Sequence, residues 1–505
     1  MIISYFKSYF TPFFVVCVFI SGCGKDKTPV PPPVIELKIV SFSPETGYPG
    51  NEVTITGDGF NPEKDKNMVS FNGASSIVKI ATAKELLVTV PDSITTGKIS
   101  VTVNGKTVFS VKDFIRPLLR TPEITFFSPY YGRAGDKVAI YGKNFTEAFN
   151  TVRFNGLKAV ITNSSPAVIL VKVPDGVTDG KISVNVMGEV VTSARNFVVL
   201  PLVTAVVSTF AGSGVQGHVN GAANIAQFDF PGDIKMDAAG NLYFIDGQDN
   251  KSIRKVTPQG IASTIINLAP YENASRLAVS NSGIIYISDG INHTIKKVST
   301  SGTISVFAGN YGRAGFIDGN GGTARFNKPN GLVLDEEGNL YVSDTQNSAI
   351  RKITPNGEVT TAYGNNVNSL VVRPFALVRD LLGNFYVSDA DRIIKIERNG
   401  KESFIAGGSP GLAREGIGNE VSFYSAIGLT IDKKGVIYVA DGNTNHILRV
   451  SSDGLVYVIA GNGNFGYLDG PSLQAEFSQP HGVVADENGN IFVTEGNSRI
   501  RKIAF

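Results

Sequence analysis

The chain has 505 residues, a formal net charge of +2 at pH 7 and two cysteines, Cys17 and Cys23. This length is too great for one hydrophobic core, so several domains are expected. The near-neutral charge gives no support for nucleic-acid binding, and the lack of cysteine after residue 23 excludes disulfides, zinc–thiolate sites and cysteine nucleophiles from the rest of the chain.

Residues 1–22 have the pattern of a signal peptide. Lys7 precedes an apolar run from Phe13 to Ile20, which is too short to span a bilayer. The sequence Ile20-Ser21-Gly22-Cys23 that follows resembles the bacterial lipobox. This resemblance implies cleavage before Cys23 and lipid attachment to it; the alternatives are an ordinary signal peptide and a poor membrane helix.

Residues 23–34 form a proline-rich linker that ends in Pro31-Pro32-Pro33. Such a run is extended, so it predicts a spacer between the membrane and the folded part. The resemblance to lipoproteins implies sorting to the outer membrane, because no Asp follows Cys23 directly. We expect the cell surface rather than the periplasmic face.

Two related segments follow, at residues 35–117 and 122–200. Ser43-Pro44 recurs as Ser128-Pro129, and Gly97-Lys98-Ile99-Ser100-Val101 recurs as Gly180-Lys181-Ile182-Ser183-Val184. Apolar residues alternate with polar ones, as at Val53 and Ile55, which predicts half-buried strands. Both segments resemble the IPT/TIG family of immunoglobulin-like domains, which implies two spacer modules; ligand binding by the modules themselves is the alternative.

Residues 203–505 contain a second kind of repeat, an apolar strand and a Gly turn followed by a strand that ends in an acid. The terminal acids recur every 43–55 residues, at Asp246, Asp289, Asp344, Asp389, Asp441 and Glu495. This period predicts the four-stranded units of a β-propeller. The last unit lacks an outer strand, so we expect Val206 to Ala211 to complete it and close the ring.

The repeats resemble the NHL family. The predicted fold is therefore all-β: two immunoglobulin-like β-sandwiches followed by a six-bladed NHL-type β-propeller. The order of lipobox, IPT/TIG modules and NHL propeller resembles that of surface lipoproteins of Bacteroidetes, some of which are encoded beside glycan-import systems.

Long loops at 212–231, 309–329, 407–426 and 461–480 are predicted to lie on the face that carries the terminal acids. A literal G-x-G-x-x-G at Gly461, Gly463 and Gly466 leads into a strand rather than a helix, so it predicts turns and not a nucleotide site. The terminal acids are interpreted as hydrogen-bonding their own turns, with an acidic ring for metal or hydroxyl groups as the alternative. Basic residues of the third strands, such as Arg254, Arg351 and Arg501, are interpreted as solvated.

The loops align at their Gly ends, and one position varies there, with His218, Phe316, Ala413 and Tyr467. The regular Phe228, Phe326, Phe423 and Phe477 are assigned to packing. Variable aromatic and polar side chains suit a sugar, and the alternative is that the rings fill their own loops. The predicted ligand-binding residues are Tyr311, Phe316, Asp318, Arg414, Phe465, Tyr467, Asp469, His218 and His481.

The predicted function is non-catalytic binding of a glycan at the cell surface, beside an outer-membrane polysaccharide uptake complex. Membrane contact is expected through the lipid only, and no nucleic acid is expected. The absence of Trp counts against a sugar site. A metal-dependent propeller lyase or hydrolase is the first alternative, since the NHL resemblance implies that histidines could bind a metal near the propeller axis. The histidines are His218, His293, His446 and His481. Their spacing matches no metal motif, so no metal and no cofactor is predicted. A protein-docking scaffold is the second alternative.

Overall fold

The computed structural model describes residues 35–117, 120–148, 150–247, 252–268, 274–364, 368–389, 391–408, 414–423 and 426–505. The predicted signal peptide, Cys23 and the linker lie outside these residues, and so does Ala413. The all-β prediction is confirmed: the described helical segments are short 3-10 turns at Lys64–Lys66, Gly321–Thr323, Thr345–Asn347 and Gly418–Glu420. No helix in the described part has the length and apolar character to cross a bilayer.

The chain divides into two compact units after Arg120. The first unit holds one β-sandwich, whose strands follow the order β1-β2-β5-β4-β3-β6-β7. Val53 and Ile55 are buried while their neighbours are partly exposed, because alternate residues of a strand face opposite sides. The strands are β1 Lys38–Ser43, β2 Glu52–Asp58, β3 Asn67–Phe71, β4 Ala74–Ala81, β5 Glu85–Thr89, β6 Gly97–Val103 and β7 Lys106–Phe114.

The second unit begins with the second sandwich, in which β13-β14-β10-β8 face β12-β11-β15-β16-β9. Its core repeats that of the first copy: the rings of Phe154 and Phe197 meet edge to face at 5.0 Å, as those of Phe71 and Phe114 do at 4.9 Å. The strands are β8 Glu123–Ser128, β9 Tyr131–Gly132, β10 Lys137–Lys143, β11 Asn150–Phe154, β12 Leu157–Lys158, β13 Val160–Ser164, β14 Val168–Lys172, β15 Gly180–Val186 and β16 Glu189–Val199.

The rest of the second unit consists of six antiparallel sheets, which we call sheets 1 to 6. Sheet 1 comprises β18 Ile234–Met236, β19 Leu242–Asp246, β20 Ser252–Val256 and β21 Ala262–Asn267, and sheet 2 comprises β22 Arg276–Val279, β23 Ile285–Asp289, β24 Thr294–Val298 and β25 Ile304–Ala308. Sheet 3 comprises β26 Gly319–Asn320, β27 Pro329–Leu334, β28 Leu340–Asp344, β29 Ala349–Ile353 and β30 Glu358–Gly364, and sheet 4 comprises β31 Pro374–Arg379, β32 Phe385–Asp389, β33 Arg392–Ile396 and β34 Glu402–Gly407. Sheet 5 comprises β35 Gly416–Ile417, β36 Ala426–Ile431, β37 Ile437–Asp441, β38 His446–Val450 and β39 Leu455–Ala460, and sheet 6 comprises β40 Gly470–Pro471, β41 Pro480–Ala485, β42 Ile491–Glu495, β43 Arg499–Ala504 and β17 Val206–Ala211.

The six sheets form a closed ring. Their innermost strands contact one another in the order β18, β22, β27, β31, β36, β41 and back to β18. The predicted closure is confirmed, because β17 pairs with β43 as the outer strand of sheet 6, with Val207 opposite Ile503. Joining the two ends of the propeller in one sheet leaves no unpaired edge where the ring closes.

The core of the propeller lies between neighbouring sheets. Second strands such as β19 and β37 are buried along their whole length, because both of their faces are covered by adjacent sheets. The regular loop phenylalanines are buried as predicted, at Phe228, Phe326, Phe423 and Phe477. Close contact at the axis requires small residues: a Cβ on Gly428 would lie 2.3 Å from the carbonyl oxygen of His481.

Candidate functional site

The four long loops cover the same end of the ring. Each one leaves the outer strand of one sheet and enters the innermost strand of the next, and we name it by the sheet that it enters: loop 1 is 212–231, loop 3 is 309–329, loop 5 is 407–426 and loop 6 is 461–480. The described part of loop 5 comprises residues 407–408, 414–423 and 426. The second strands end in their acidic residues beneath these loops. The loops therefore form one face, which we call the loop face.

A buried arginine attaches loop 3 to sheet 3. Nη1 of Arg351 donates to Asp344 at 2.9 Å and to the carbonyl of Arg325 at 3.0 Å. Its Nη2 donates to the carbonyl of Ile317 at 3.0 Å and to Asp318 at 2.5 Å. The planar guanidinium thus joins the acid at the end of β28 to both strands of the loop, a geometry that lysine could not reproduce.

The same arrangement occurs in sheets 1 and 6. Arg254 joins Asp246 to the carbonyls of Gln227 and Val219, and Arg501 joins Glu495 to those of Glu476 and Leu468. All three arginines are fully buried. The interpretation of these third-strand arginines as solvated is therefore wrong, because the loop folds over the strand and removes them from water. Lys296, at the same position in sheet 2, was also interpreted as solvated but is buried and binds Asp289 at 2.8 Å. The lysines at the next position, such as Lys352, keep partial exposure.

The terminal acids are the partners of these cations and of the loop backbone. Asp344 accepts a hydrogen bond of 2.7 Å from the backbone N–H of Asn327, and Asp246 one of 2.7 Å from that of Asp229. Burial raises the pKa of Asp246 to about 6 against the opposing effects of these donors. Asp289 also accepts from the Asn292 backbone of its own turn, as interpreted from the sequence. These carboxylates are held inside the protein.

Four of the predicted ligand-binding residues take part in the same attachment. Asp318 and Asp469 bind Arg351 and Arg501, each at 2.5 Å. The ring of Phe316 lies over Arg351, with its centroid 4.7 Å away. The ring of Tyr467 lies 3.8 Å from Arg499, and its hydroxyl is 3.0 Å from that of Thr209. Their side chains thus fill their own loops on one side, and both rings remain partly exposed on the other.

Phe465 and Tyr311 differ from these residues in exposure. Phe465 is 69% exposed, more than any other aromatic residue in the described ranges, and Tyr311 is 54% exposed. Phe465 lies in loop 6, in extended backbone that pairs with Phe477. Tyr311 lies in loop 3. Both rings stand in solvent on the loop face.

The turn between β37 and β38 of sheet 5 lies beside loop 6, close in sequence to Phe465. The side-chain amide of Asn445 donates to the carbonyl of Gly463 at 3.4 Å, and a Cβ on Gly463 would lie 3.1 Å from the ring of His446. Arg414 of loop 5 donates to the carbonyl of Ser422 at 3.3 Å. Burial, with Arg414 nearby, lowers the pKa of His446, so this imidazole is neutral at pH 7.

His481 begins the innermost strand of sheet 6. Its ring centroid lies 5.6 Å from that of Phe230, and its buried Nδ1 has no hydrogen-bond partner in the described chain. Burial and the charge of Arg276 lower the pKa of His481. His218 of loop 1 lies 3.7 Å from Asp246 and 3.8 Å from Asp229. No three His, Cys, Asp or Glu side chains in the part of the chain described here are grouped to hold a metal.

The predicted site residues thus fall into two groups. Arg414, Phe465, Tyr467, Asp469, His481 and His218 belong to the neighbouring sheets 5, 6 and 1, whereas Tyr311, Phe316 and Asp318 belong to sheet 3. In the ring order, sheet 3 is separated from sheet 6 by two sheets on either side. The structure therefore does not bring the two aromatic loops together into one pocket.

The arginine attachment of the loops was not predicted, and neither was its exception in sheet 5. The third position of the third strand is Arg254, Arg351 or Arg501 in three sheets, but it is Leu448 in sheet 5. The loop residue that such an arginine would bind, Glu415, instead binds Arg133 of the second sandwich, with Nη2 to Oε1 at 2.9 Å. Each sheet that has the strand arginine also has an acid or amide directly before the loop Gly. This correlation in the sequence could have predicted the attachment.

Comparison with known protein families agrees with this architecture. The IPT/TIG domain family matches residues 37–114 and 122–198, and the NHL repeat family matches residues 326–353. Among curated proteins, Suppressor of quenching 1, chloroplastic, of Arabidopsis thaliana is 30% identical over 169 residues, 29% of this chain and 16% of that protein. Human teneurin-1 is 25% identical over 371 residues, 59% of this chain and 13% of that protein. The chain thus spans less than a fifth of these relatives.

Solved structures resemble the chain in fold. An auxiliary nutrient binding protein from Bacteroides ovatus has 18% identity and a TM-score of 0.49, and the match covers 76% of this chain and 98% of that one. A protein of unknown function from Bacteroides thetaiotaomicron has 21% identity and a TM-score of 0.48, with the same coverage. A streptogramin B lyase has 15% identity and a TM-score of 0.40, covering 59% of this chain and 97% of that one.

Proposed function

We propose that the chain is a non-catalytic binding protein and that its loop face takes up a glycan over sheets 5, 6 and 1. The observation that carries the proposal is Phe465, an aromatic ring that stands 69% exposed in loop 6. Such a ring offers apolar area that a ligand with an apolar face would remove from water. Saccharide rings offer such a face and also need polar partners.

Polar groups share the loop face with Phe465. Asn464 precedes it in loop 6, Arg414 lies in the neighbouring loop 5, and the neutral imidazole of His446 lies beside Gly463. Amide, guanidinium and neutral imidazole groups donate or accept hydrogen bonds with sugar hydroxyls. Asp318 and Asp469, which the sequence analysis also assigned to the ligand, are already bound to arginines. We therefore assign the polar contacts to Asn464, Arg414 and His446.

The test is the substitution Phe465→Ala in the mature chain. Titration calorimetry against maltohexaose, cellohexaose, xylohexaose and mannohexaose is expected to find a ligand for the wild type. Loss of the ring is expected to weaken that ligand by about tenfold or more, equivalent to about 1.4 kcal/mol. The matched control is Tyr311→Ala, an exposed ring on sheet 3 that lies outside the proposed site. Equal losses in both variants would contradict the position of the site.

The location of the protein is also a proposal. The lipobox resemblance of Ile20-Ser21-Gly22-Cys23 supports a lipid anchor in the outer membrane, with the folded domains on the cell surface beside a glycan-import complex. Cys23→Ala is expected to abolish acylation and move the protein to the soluble fraction, whereas Cys17→Ala is expected to leave both unchanged. Protease added to intact cells should cleave the wild type; complete protection would contradict a surface position.

A further inference from the structure

The second sandwich is joined to the propeller by two ion pairs. Arg133 binds Glu415 of loop 5 through both of its Nη atoms, at 2.9 and 3.3 Å. Arg195 binds Glu420, with Nη2 to Oε1 at 2.5 Å. Gly416 lies between these acids with a φ of +144°, and a Cβ there would lie 3.0 Å from the ring of Tyr131. A side chain at this position would therefore meet a tight contact with Tyr131 and a backbone conformation that favours glycine.

A cleft of about 450 Å³ opens beside this junction. Its walls include Tyr130, Tyr131, Lys181, Arg195, Asn196 and Glu420, so they come from the sandwich and the propeller together. The guanidinium of Arg195 lies over the ring of Tyr130 at 4.1 Å. The volume of the cleft falls within the range of about 300–1,000 Å³ that is typical of small-ligand sites, and such sites often lie at domain junctions. The ion pairs hold these walls in place before any ligand arrives.

The charged side chains of this cleft differ from those at the equivalent place in the first sandwich. The two copies align so that Glu45 corresponds to Tyr130 and Asp113 to Asn196, because Gly97 pairs with Phe114 as Gly180 pairs with Phe197. In the first copy, Lys98 binds Asp113 at 3.1 Å and Lys112 binds Glu45 at 2.5 Å. The second copy keeps both cations, as Lys181 and Arg195, but has lost both acids.

This exchange leaves a positive charge at the cleft. Lys181 keeps the backbone contact of its counterpart, a hydrogen bond to the carbonyl of Ala194, but no acidic side chain in the described residues pairs with it. Glu420 offsets the charge of Arg195 but not that of Lys181. The hydroxyl of Tyr131 also has no hydrogen-bond partner among the described residues. The cleft thus combines an aromatic wall, an uncompensated ammonium group and a free phenol.

We infer that the junction cleft binds a carboxylate-bearing saccharide, with Lys181 as the partner of the carboxylate. The sugar ring packs against the tyrosines, and Asn196 and Tyr131 bind its hydroxyls. Its carboxylate binds Lys181 as Asp113 binds Lys98 in the first copy. This inference rests on the proposed glycan function and adds a second, acidic subsite to it. Attraction between the carboxylate and Lys181 is weakened by salt, because the cleft is open to water.

The test uses the mature chain with α-1,4-tetragalacturonate, and with the same oligomer after reduction of its carboxyl groups. The decisive variant is Asn196→Asp, which installs the acid that the first copy carries and which that fold accommodates. Wild type is expected to bind tetragalacturonate at least about tenfold more tightly than the reduced oligomer, and Asn196→Asp to abolish this preference. Asp113→Asn in the first sandwich is the matched control and is expected to change nothing.

The outcomes separate this inference from the proposed function. If wild type shows no preference for tetragalacturonate, or if Asn196→Asp keeps the preference, the acidic subsite is wrong; a neutral hexaose that depends on Phe465 would leave the loop-face proposal standing in that case. If Asn196→Asp removes the preference while Phe465→Ala affects no saccharide, the subsite is supported and the loop face is wrong. Circular dichroism that differs between Asn196→Asp and wild type directs the test to Lys181→Met, for which the same results are expected.

Discussion

Arg254, Arg351 and Arg501 carry the organisation of the loop face. Each guanidinium is fully buried, is paired with an acid at the end of the second strand and binds carbonyls on both sides of a loop. A buried charge is costly unless it is paired and hydrogen-bonded. Here the carbonyl groups of the loop supply the hydrogen-bond acceptors that the strand does not provide. Sheets 4 and 5 show that the fold does not need the cation, since Ile394 and Leu448 occupy the same position.

Arg351→Leu is expected to destabilise the chain by about 3–5 kcal/mol, because Asp344 would be left buried without its cation. Adding Asp344→Asn is expected to restore part of the loss, since a neutral amide carries a smaller desolvation cost. The measurement is thermal unfolding of the chain from residue 23 onward. Lys352→Leu, on the partly exposed face of the same strand, is the control and should shift the midpoint little. Equal shifts for the two positions would show that the attachment is not important for stability.

Two half-buried histidines predict how stability depends on pH. Burial lowers the pKa values of His446 and His481, whereas in the unfolded chain each lies near 6.5. Below pH 6.5 the unfolded chain therefore takes up protons that the folded chain does not, and the free energy of unfolding falls as the pH drops. The raised pKa of Asp246 acts in the opposite direction between about pH 6 and 4.

His481→Gln separates the histidine contribution from that of Asp246, which both proteins share. The wild-type denaturant midpoint is expected to fall more than that of His481→Gln between pH 8 and pH 5. Midpoints that run parallel over this range would mean that His481 titrates in the folded protein as it does in the unfolded chain.

At the scale of elements, the sequence predicts strands far better than it predicts loops. Val53 and Ile55 alternate with polar residues, and β17 could be assigned to sheet 6 because one outer strand was missing there. The attachment of loop 3 could not be predicted in the same way. Arg351 and Lys352 are consecutive basic residues, and such residues are also common on strands that face solvent. Which of the two cations is buried depends on the loop that covers one face of the strand. The sequence of that loop has no hydrophobic periodicity from which its position could be predicted.

Ring closure through β17 makes a prediction for two adjacent valines. Val207 is 1% exposed and Val206 is 50% exposed, although both pair with the last strand. Val207→Ala is expected to cost roughly 2 kcal/mol through lost burial and the cavity left behind, and Val206→Ala less than about 0.5 kcal/mol. Urea unfolding of the mature chain measures both. If the two variants unfold alike, closure at sheet 6 does not limit the stability of the propeller.

At the scale of the second unit, the departure of sheet 5 from the repeat acquires a reason. Leu448 removes the cation that would bind Glu415 inside the sheet, and Arg133 supplies one from the sandwich, 282 residues earlier in the chain. The alignment of loop ends in the sequence marks Glu415 as equivalent to Asp318 and Asp469. It could not identify the partner, because a contact between domains leaves no trace in the spacing of a repeat.

The junction can be tested by a double-mutant cycle with Arg133→Ala and Glu415→Ala. The two side chains are largely buried and joined by two hydrogen bonds, so we expect a coupling free energy of roughly 1–2 kcal/mol, from calorimetric unfolding of the mature chain. The matched control is Lys112 with Glu45, an exposed pair at the equivalent end of the first sandwich, for which less than about 0.5 kcal/mol is expected. Because the cycle subtracts the hydrogen bond from the Val458 backbone to Glu415, it isolates the contact between the domains. A coupling no larger than that of the control would mean that Arg133 and Glu415 do not hold the second sandwich to the propeller, and the cleft beside them would then have no fixed walls.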